Sequence, residues 1–217
     1  MSSRGRFITV EGGEGVGKST QLVALREWLE SLGQEVVFTR EPGGTPRAER
    51  IRELLLENSA ETMPPICELL LMFAARATHI ANVIEPALQR GAWVVCDRFT
   101  DATYAYQGAG RGVDVRQIAT LENLVQAELR PDLTLLLDAP LELSSSRARS
   151  RNETAGVVDR FEREQAAFFE RVRNGYLERA RHEPQRIVVI DASAEIQHVT
   201  RAIRSVIESR LLKESHG

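Results

Sequence analysis

The sequence predicts an α/β fold: a five-stranded parallel sheet with helices on both faces. Five short runs, at 6–10, 36–39, 93–97, 133–138 and 187–191, are almost continuously apolar, as strands buried on both sides must be. Longer stretches of helical periodicity separate them, and such alternation builds parallel sheets through right-handed crossovers. A length of 217 residues with 42% hydrophobic content suits one domain, 1–217, with a sizeable core.

In chain order, helical patterns run over 18–32, 48–56, 66–90, 115–129, 141–151, 160–182 and 196–212. Gly33 and Gly91 fit helix C-termini, and Asp114 with Gln117 reads as a capping box opening the fourth helix. Pro86 lies inside the third pattern, so a kink or break is expected near it. The polar stretch 150-SRNETAGVVDR-160, between arginine-rich helices, reads as a short lid covering about 147–160. Cys67 and Cys96 sit in apolar runs and read as buried thiols, which fits a reducing, cytoplasmic setting. No secretory leader and no apolar run near ~18 residues is seen, so no membrane span is expected. The formal charge of -3 argues against non-specific nucleic-acid binding. Lysine occurs only at Lys18 and Lys213, so arginine abundance means nothing by itself and only arginine placement is informative.

The strongest local signal is 11-EGGEGVGKST-20, following a strand and opening a helix. Gly12, Gly13, Gly15 and Gly17, with Val16 between, let backbone N–H groups turn inward around phosphate oxygens. The helix N-terminus at Lys18, Ser19 and Thr20 adds its positive dipole end. Lys18 neutralises β/γ-phosphate charge, and the Ser19 hydroxyl ligates Mg²⁺. This is a P-loop for ATP with magnesium. GTPase base-reading motifs are absent and the chain is short for a mechanical ATPase, which leaves a small kinase. Glu14 is out of place, because a polyanion cradle gains nothing from a carboxylate.

Ligands in open α/β sheets bind beyond the carboxyl ends of the strands, where Glu11, Arg40, Asp97 and Asp138 fall. Asp97 reads as the magnesium-side acid, and Arg98 after it as a bidentate phosphate clamp. Thr103, Tyr106 and Gln107 carry hydrogen-bonding groups suited to a base and sugar. Phe73 and Arg76, at i and i+3, share a helix face; a core position is the ordinary reading of Phe73. Trp28 and Trp93 read as packing residues, Asp138 as a helix cap, 108-GAGRG-112 as a flexible turn, and the four histidines as unclustered.

Together, FITVEGGEGVGKSTQ, FTREPGGT, LLLMFAAR, DRFTDATYAYQGAGRG and RPDLTLLLD resemble the bacterial thymidylate kinases, in order and from about Phe7 to Asp191. The resemblance implies a P-loop nucleoside-monophosphate-kinase-like fold, ATP-dependent phosphorylation of dTMP to dTDP, and a homodimer. It implies that Phe73 stacks on thymine, Arg76 reaches a thymine carbonyl, and Thr103 and Gln107 line the base edge. Tyr106 would favour the deoxy sugar, Arg98 and Arg40 would hold the dTMP phosphate, and Glu14 would face the acceptor sugar. Asp191 and Ala192 would border the adenine. The P-loop has no arginine, so the chain resembles members whose lid supplies the catalytic one. Arg151 is the first choice and Arg160 the second. A kinase for another deoxynucleotide or a deoxynucleoside is the alternative.

Overall fold

The computed structural model describes residues 4–155, 160–161 and 164–212, with the backbone alone for 151–155. Five strands, β1 (Phe7–Glu11), β2 (Val36–Arg40), β3 (Trp93–Asp97), β4 (Leu133–Asp138) and β5 (Ile187–Asp191), pair in the order β2-β3-β1-β4-β5, all parallel. The central strands are buried nearly throughout, whereas edge strands β2 and β5 are half-exposed. Continuous apolar runs are thus required only in the middle of the sheet.

Nine α-helical segments pack around it among the described residues: α1 (Lys18–Ser31), α2 (Pro46–Leu56), α3 (Pro65–His79), α4 (Glu85–Gln89), α5 (Thr100–Thr103), α6 (Val115–Gln126), α7 (Leu141–Ala155), α8 (Ala166–His182) and α9 (Ile196–Ile207). On one face of the sheet, Leu25 and Leu29 of α1 and Val199 and Ile203 of α9 bury against Ile8, Val10, Val95 and Leu135. Each such fully buried side chain contributes about 2 kcal/mol. On the other face, Ile84, Ala87 and Leu88 cover Phe7, Val94 and Cys96. Beside them, Phe168, Val172 and Tyr176 of α8 cover Leu136 and Tyr106.

Several expectations need correction. Pro86 does not end its helix, which continues over Pro65–Gln89, but the expected disturbance near it is present as a π-helical turn at Ile80–Ile84. The wide turn, in which Glu85 N–H donates to Ile80 O, absorbs the register change that a proline imposes upstream. By length and a mean hydropathy of 1.3 this helix could cross a membrane, so the lack of a long apolar run does not settle that point. It is woven into the fold, however, with Glu68, Arg76 and His79 all buried. Cys96 is buried as expected, but Cys67 is exposed, because the first turns of α3 lie at the surface.

The segment after β3 is helical as well: α5 continues as a π-helical stretch over Tyr104–Gly110. Its glycines are therefore not a loose turn. Gly110 abuts the Phe168 ring, and Gly175 on α8 abuts Ala109, so small residues on both sides let the two helices approach closely. Asp101 anchors this segment through Arg186 at 2.7 and 2.9 Å and Arg179 at 3.1 Å.

Candidate active site

The P-loop joins β1 to α1 at the sheet's switch point, where β1 is flanked by β3 and β4. Gly17 caps α1 in the left-handed region. Gly15, at φ +72, lies so close to α7 that a Cβ would stand 2.0 Å from Ser144 O. Only glycine fits there. Lys18 is buried and donates to Gly12 O and Gly13 O, both at 3.1 Å, which folds the amine over the loop. Burial, and then the nearby Arg98 cation, bring its pKa down to about 8. An open groove runs along Gly15, Lys18, Ser19 and Thr20 to Ala192, with Arg147 closing its rim by donating to Ala192 O at 3.0 Å.

Asp97 ends β3 with its Oδ1 buried and no donor to it among the described residues. Ser19, in the first turn of α1, is exposed. An orphaned carboxylate oxygen near the ammonium of Lys18 and a free hydroxyl suit a divalent ion carried with the nucleotide. No cluster of three or more ligating side chains occurs among the described residues, so phosphates and water would supply the remaining ligands.

Glu14 is matched by Arg98. This residue, at φ +67, turns back across the loop. Its Nη2 donates to Glu14 Oε1 at 2.7 Å, and its Nη1 to Gly12 O at 2.7 Å and Tyr176 Oη at 3.1 Å. Tyr176 Oη in turn donates to Glu11 Oε2 at 2.8 Å, and Phe99 N–H to Glu11 Oε1 at 2.7 Å. Burial, and secondarily the Asp101 carboxylate, raise Glu11 to about 7.

Beyond Arg98 opens a cavity of about 100 Å³ lined by Glu14, Pro42, Arg52, Met72, Arg76, Phe99, Ala102, Thr103, Tyr106, Gln107 and Phe161, among others. At its floor Arg76 is 2% exposed. Its Nε donates to Glu41 Oε2 at 2.7 Å and its Nη2 to Thr103 Oγ1 at 3.0 Å, while no described residue accepts from Nη1. The Gln107 amide is fixed because Nε2 donates to the buried Glu68 at 2.8 Å, which leaves its oxygen for the cavity. The Tyr106 hydroxyl is likewise buried without a described partner.

The cavity unites Glu14, Arg76, Arg98, Thr103, Tyr106 and Gln107, but three expected residues go elsewhere. Phe73 packs in the core with Leu69, Tyr104 and Ile118. Met72, at i−4 from Arg76, takes the cavity wall, because i and i+4 align more closely on one face than i and i+3 do here. Arg40 turns away, donating to Glu49 at 2.8 Å, and Arg52 one turn further along α2 lines the cavity. Arg160 is bound to Leu55 O at 3.0 Å and to Glu68, so it does not line the cavity. Arg151 lies on α7, which extends through the first part of the expected lid to Ala155, but its side chain falls outside what is described, as do residues 156–159. Asp138 is not a helix cap; it forms a bidentate pair with Arg173 at 2.7 and 2.8 Å.

Sequence reading also missed Glu41, Glu68, Arg52, Met72 and Tyr176. Glu41 and Met72 fall inside the quoted motifs FTREPGGT and LLLMFAAR but were given no role there, and the roles of all five appear only once distant elements meet.

A thymidylate kinase family model matches residues 10–203. The chain is 60% identical to a thymidylate kinase of Chromohalobacter salexigens over 209 residues, covering 95% of this chain and 97% of that one. It is 56% identical to one of Pseudomonas fluorescens over 213 residues, covering 98% and 99%. A crystal structure of a thymidylate kinase from Ehrlichia chaffeensis aligns with a TM-score of 0.75 at 33% identity, covering 94% and 99%. With its parallel sheet, P-loop and adjoining polar cavity accounted for, the chain belongs to the thymidylate kinase family.

Proposed function

We propose how this site carries out the family's reaction, the transfer of the ATP γ-phosphoryl group to dTMP to give dTDP. The observation that carries the base assignment is the pairing of an unsatisfied Arg76 Nη1 with a Gln107 amide fixed oxygen-inward. A donor beside an acceptor matches the 4-carbonyl and N3–H of thymine and mismatches cytosine, whose edge is reversed. Met72 and Phe99 offer apolar surface to the ring. Arg98 and Arg52 are the cations available to the acceptor phosphate, and Glu14 to the sugar hydroxyl.

ATP lies along the P-loop, with adenine toward Ala192 under Arg147. Lys18 neutralises the β/γ-phosphates. A Mg²⁺ ion carried with ATP would be held by Ser19 and Asp97 and would supply charge neutralisation at the bridging oxygens. The acceptor is a phosphate dianion, so no strong base is required, and catalysis consists of in-line alignment and electrostatic stabilisation. Arg98 touches both the loop carbonyl and Glu14, so it holds the two phosphate sites in one frame. Arg151 remains the candidate for the charge from the lid. The enzyme acts as a cytoplasmic homodimer without nucleic-acid or membrane partners. The exposed Ile66 and Leu70 on α3 and Leu124 on α6 support a helical dimer face. Initial rates with ATP, Mg²⁺ and dTMP, dUMP, dCMP or thymidine test the reading. dTMP should be preferred, and equal turnover of dCMP would overturn it.

A further inference from the structure

Arg76 can read a base only if its guanidinium is held still, and a histidine with no part in the chemistry stands behind it. His79, one turn further along α3, is fully buried. Its Nδ1 lies 2.8 Å from Glu41 Oε1, while Glu41 Oε2 accepts from Arg76 Nε at 2.7 Å. Its Nε2 lies 2.7 Å from Thr39 Oγ1. Gly44 closes the box: a Cβ there would stand 2.6 Å from both the imidazole and Thr39 Oγ1.

The partners fix the tautomer. An ionised Glu41 can only accept, so the proton sits on Nδ1, and Nε2 accepts from the Thr39 hydroxyl. With a neutral ring the buried chain Thr39–His79–Glu41–Arg76–Thr103 has one cation, one anion and a match at every link. The free end of that chain is Arg76 Nη1. Because each Glu41 oxygen has its own partner, losing His79 lets the carboxylate rotate, and Arg76 moves with it.

We propose that His79 is a positioning residue for base recognition, holding Arg76 through Glu41 so that Nη1 faces the 4-carbonyl of the pyrimidine. The proposal rests on reading Arg76 as the carbonyl contact. His79 touches no substrate.

The test is steady-state kinetics and thermal melting of His79→Ala, His79→Asn, Arg76→Ala and the double alanine variant. Two acceptors are compared: dTMP and the deoxynucleoside monophosphate of 5-methyl-2-pyrimidinone, which lacks the 4-oxygen and, with it, the N3–H. His79→Ala should raise KM for dTMP about tenfold while kcat and the KM for ATP stay within about twofold. Its KM for the pyrimidinone nucleotide should be unchanged. His79→Asn, whose amide nitrogen can replace Nδ1–H, should recover most of the loss. In the Arg76→Ala background, His79→Ala should add nothing. Should His79→Ala not fold, Thr39→Val, which keeps the volume and removes the hydroxyl, reads the same chain with a smaller rise in KM for dTMP alone. An equal KM rise for both acceptors, or additive effects of the two alanines, would overturn the proposal. If Arg76→Ala leaves KM for dTMP unchanged, the base-contact reading itself falls. If Arg76→Ala raises it and neither His79→Ala nor Thr39→Val does, only the relay falls.

Discussion

Arg98 and Glu14 form a 2.7 Å ion pair across the mouth of the P-loop, with the arginine side chain 16% and the carboxylate 29% exposed. The carboxylate that looked misplaced in a phosphate cradle is the partner of the cation that faces the acceptor. Glu14→Gln should leave ATP affinity nearly unchanged and raise KM for dTMP about tenfold, the scale of one charge-assisted hydrogen bond. Arg98→Ala should cost far more, about 10³-fold in kcat/KM for dTMP, since a buried frame for both phosphates is lost. Calorimetry with ATP and dTMP separately checks the first, and initial rates the second.

Met72 and Phe73 should part company. Phe73→Ala empties a fully packed site and should cost about 3–5 kcal/mol of stability. Met72→Ala should lower the melting temperature less and weaken dTMP binding more. Denaturant midpoints combined with dTMP titration of the two variants decide it.

Arg40 and Arg52 should separate in the same manner. Arg40 pairs with Glu49 with 53% of its side chain exposed, and removing such a pair costs little. Arg40→Ala should keep KM for dTMP within about twofold, whereas Arg52→Ala should raise it several-fold or more. Steady-state kinetics of the two variants suffices.

Lys18 sets an alkaline limit. With its pKa lowered to about 8 in the free enzyme, it loses its charge as pH rises through that value. Bound triphosphate favours the charged amine, so ATP binding takes up a proton above pH 8 and weakens by about tenfold for each further pH unit. Calorimetry at pH 7, 8 and 9 in buffers of different ionisation enthalpy reads both the affinity and the proton uptake.

Glu11 is shifted the opposite way, yet its effect also fades as pH rises. A carboxyl raised from 4.5 to about 7 binds more protons folded than unfolded, so its contribution to stability is present below about pH 4.5 and is lost as pH rises toward 7. Glu11→Gln keeps an acceptor for the Phe99 amide and removes the titration. Its melting temperature relative to the unaltered protein should therefore rise between pH 5.5 and 8, which thermal scans across that range would show.

The phosphate loop was legible because a local backbone shape dictates its residues. Glycine at 12, 15 and 17, lysine at 18 and a preceding strand need no tertiary information. Arg76, Arg98, Thr103, Tyr106 and Gln107 were legible as a group since they lie in two short segments beside strand ends. The errors came where choice depends on phase. Whether residue 72 or 73 meets the cavity turns on a fraction of a helical turn. Whether Arg40 or Arg52 does depends on Glu49 capturing the former. The helical stretch from 100 to 110 was hidden by its aromatic and glycine content, a composition that disfavours isolated helices and is stabilised here by α8. Glu68 and His79 had no signal, and Glu41 had only its place in FTREPGGT, because a carboxylate or imidazole that supports another side chain looks in sequence like any other.

The π-helical turn at Ile80–Ile84 has a wider meaning for the helix that contains it. One extra residue in a turn rotates everything beyond it by about 100°. Upstream of that turn, Met72 and Arg76 look into the nucleotide cavity; downstream, Ile84, Ala87 and Leu88 look onto the sheet. In an unbroken helix Ile84 and Leu88 would stand about 80° and 120° round from Arg76, and the inserted residue takes back about 100°, so one rod carries a single buried stripe from the substrate cavity to the sheet.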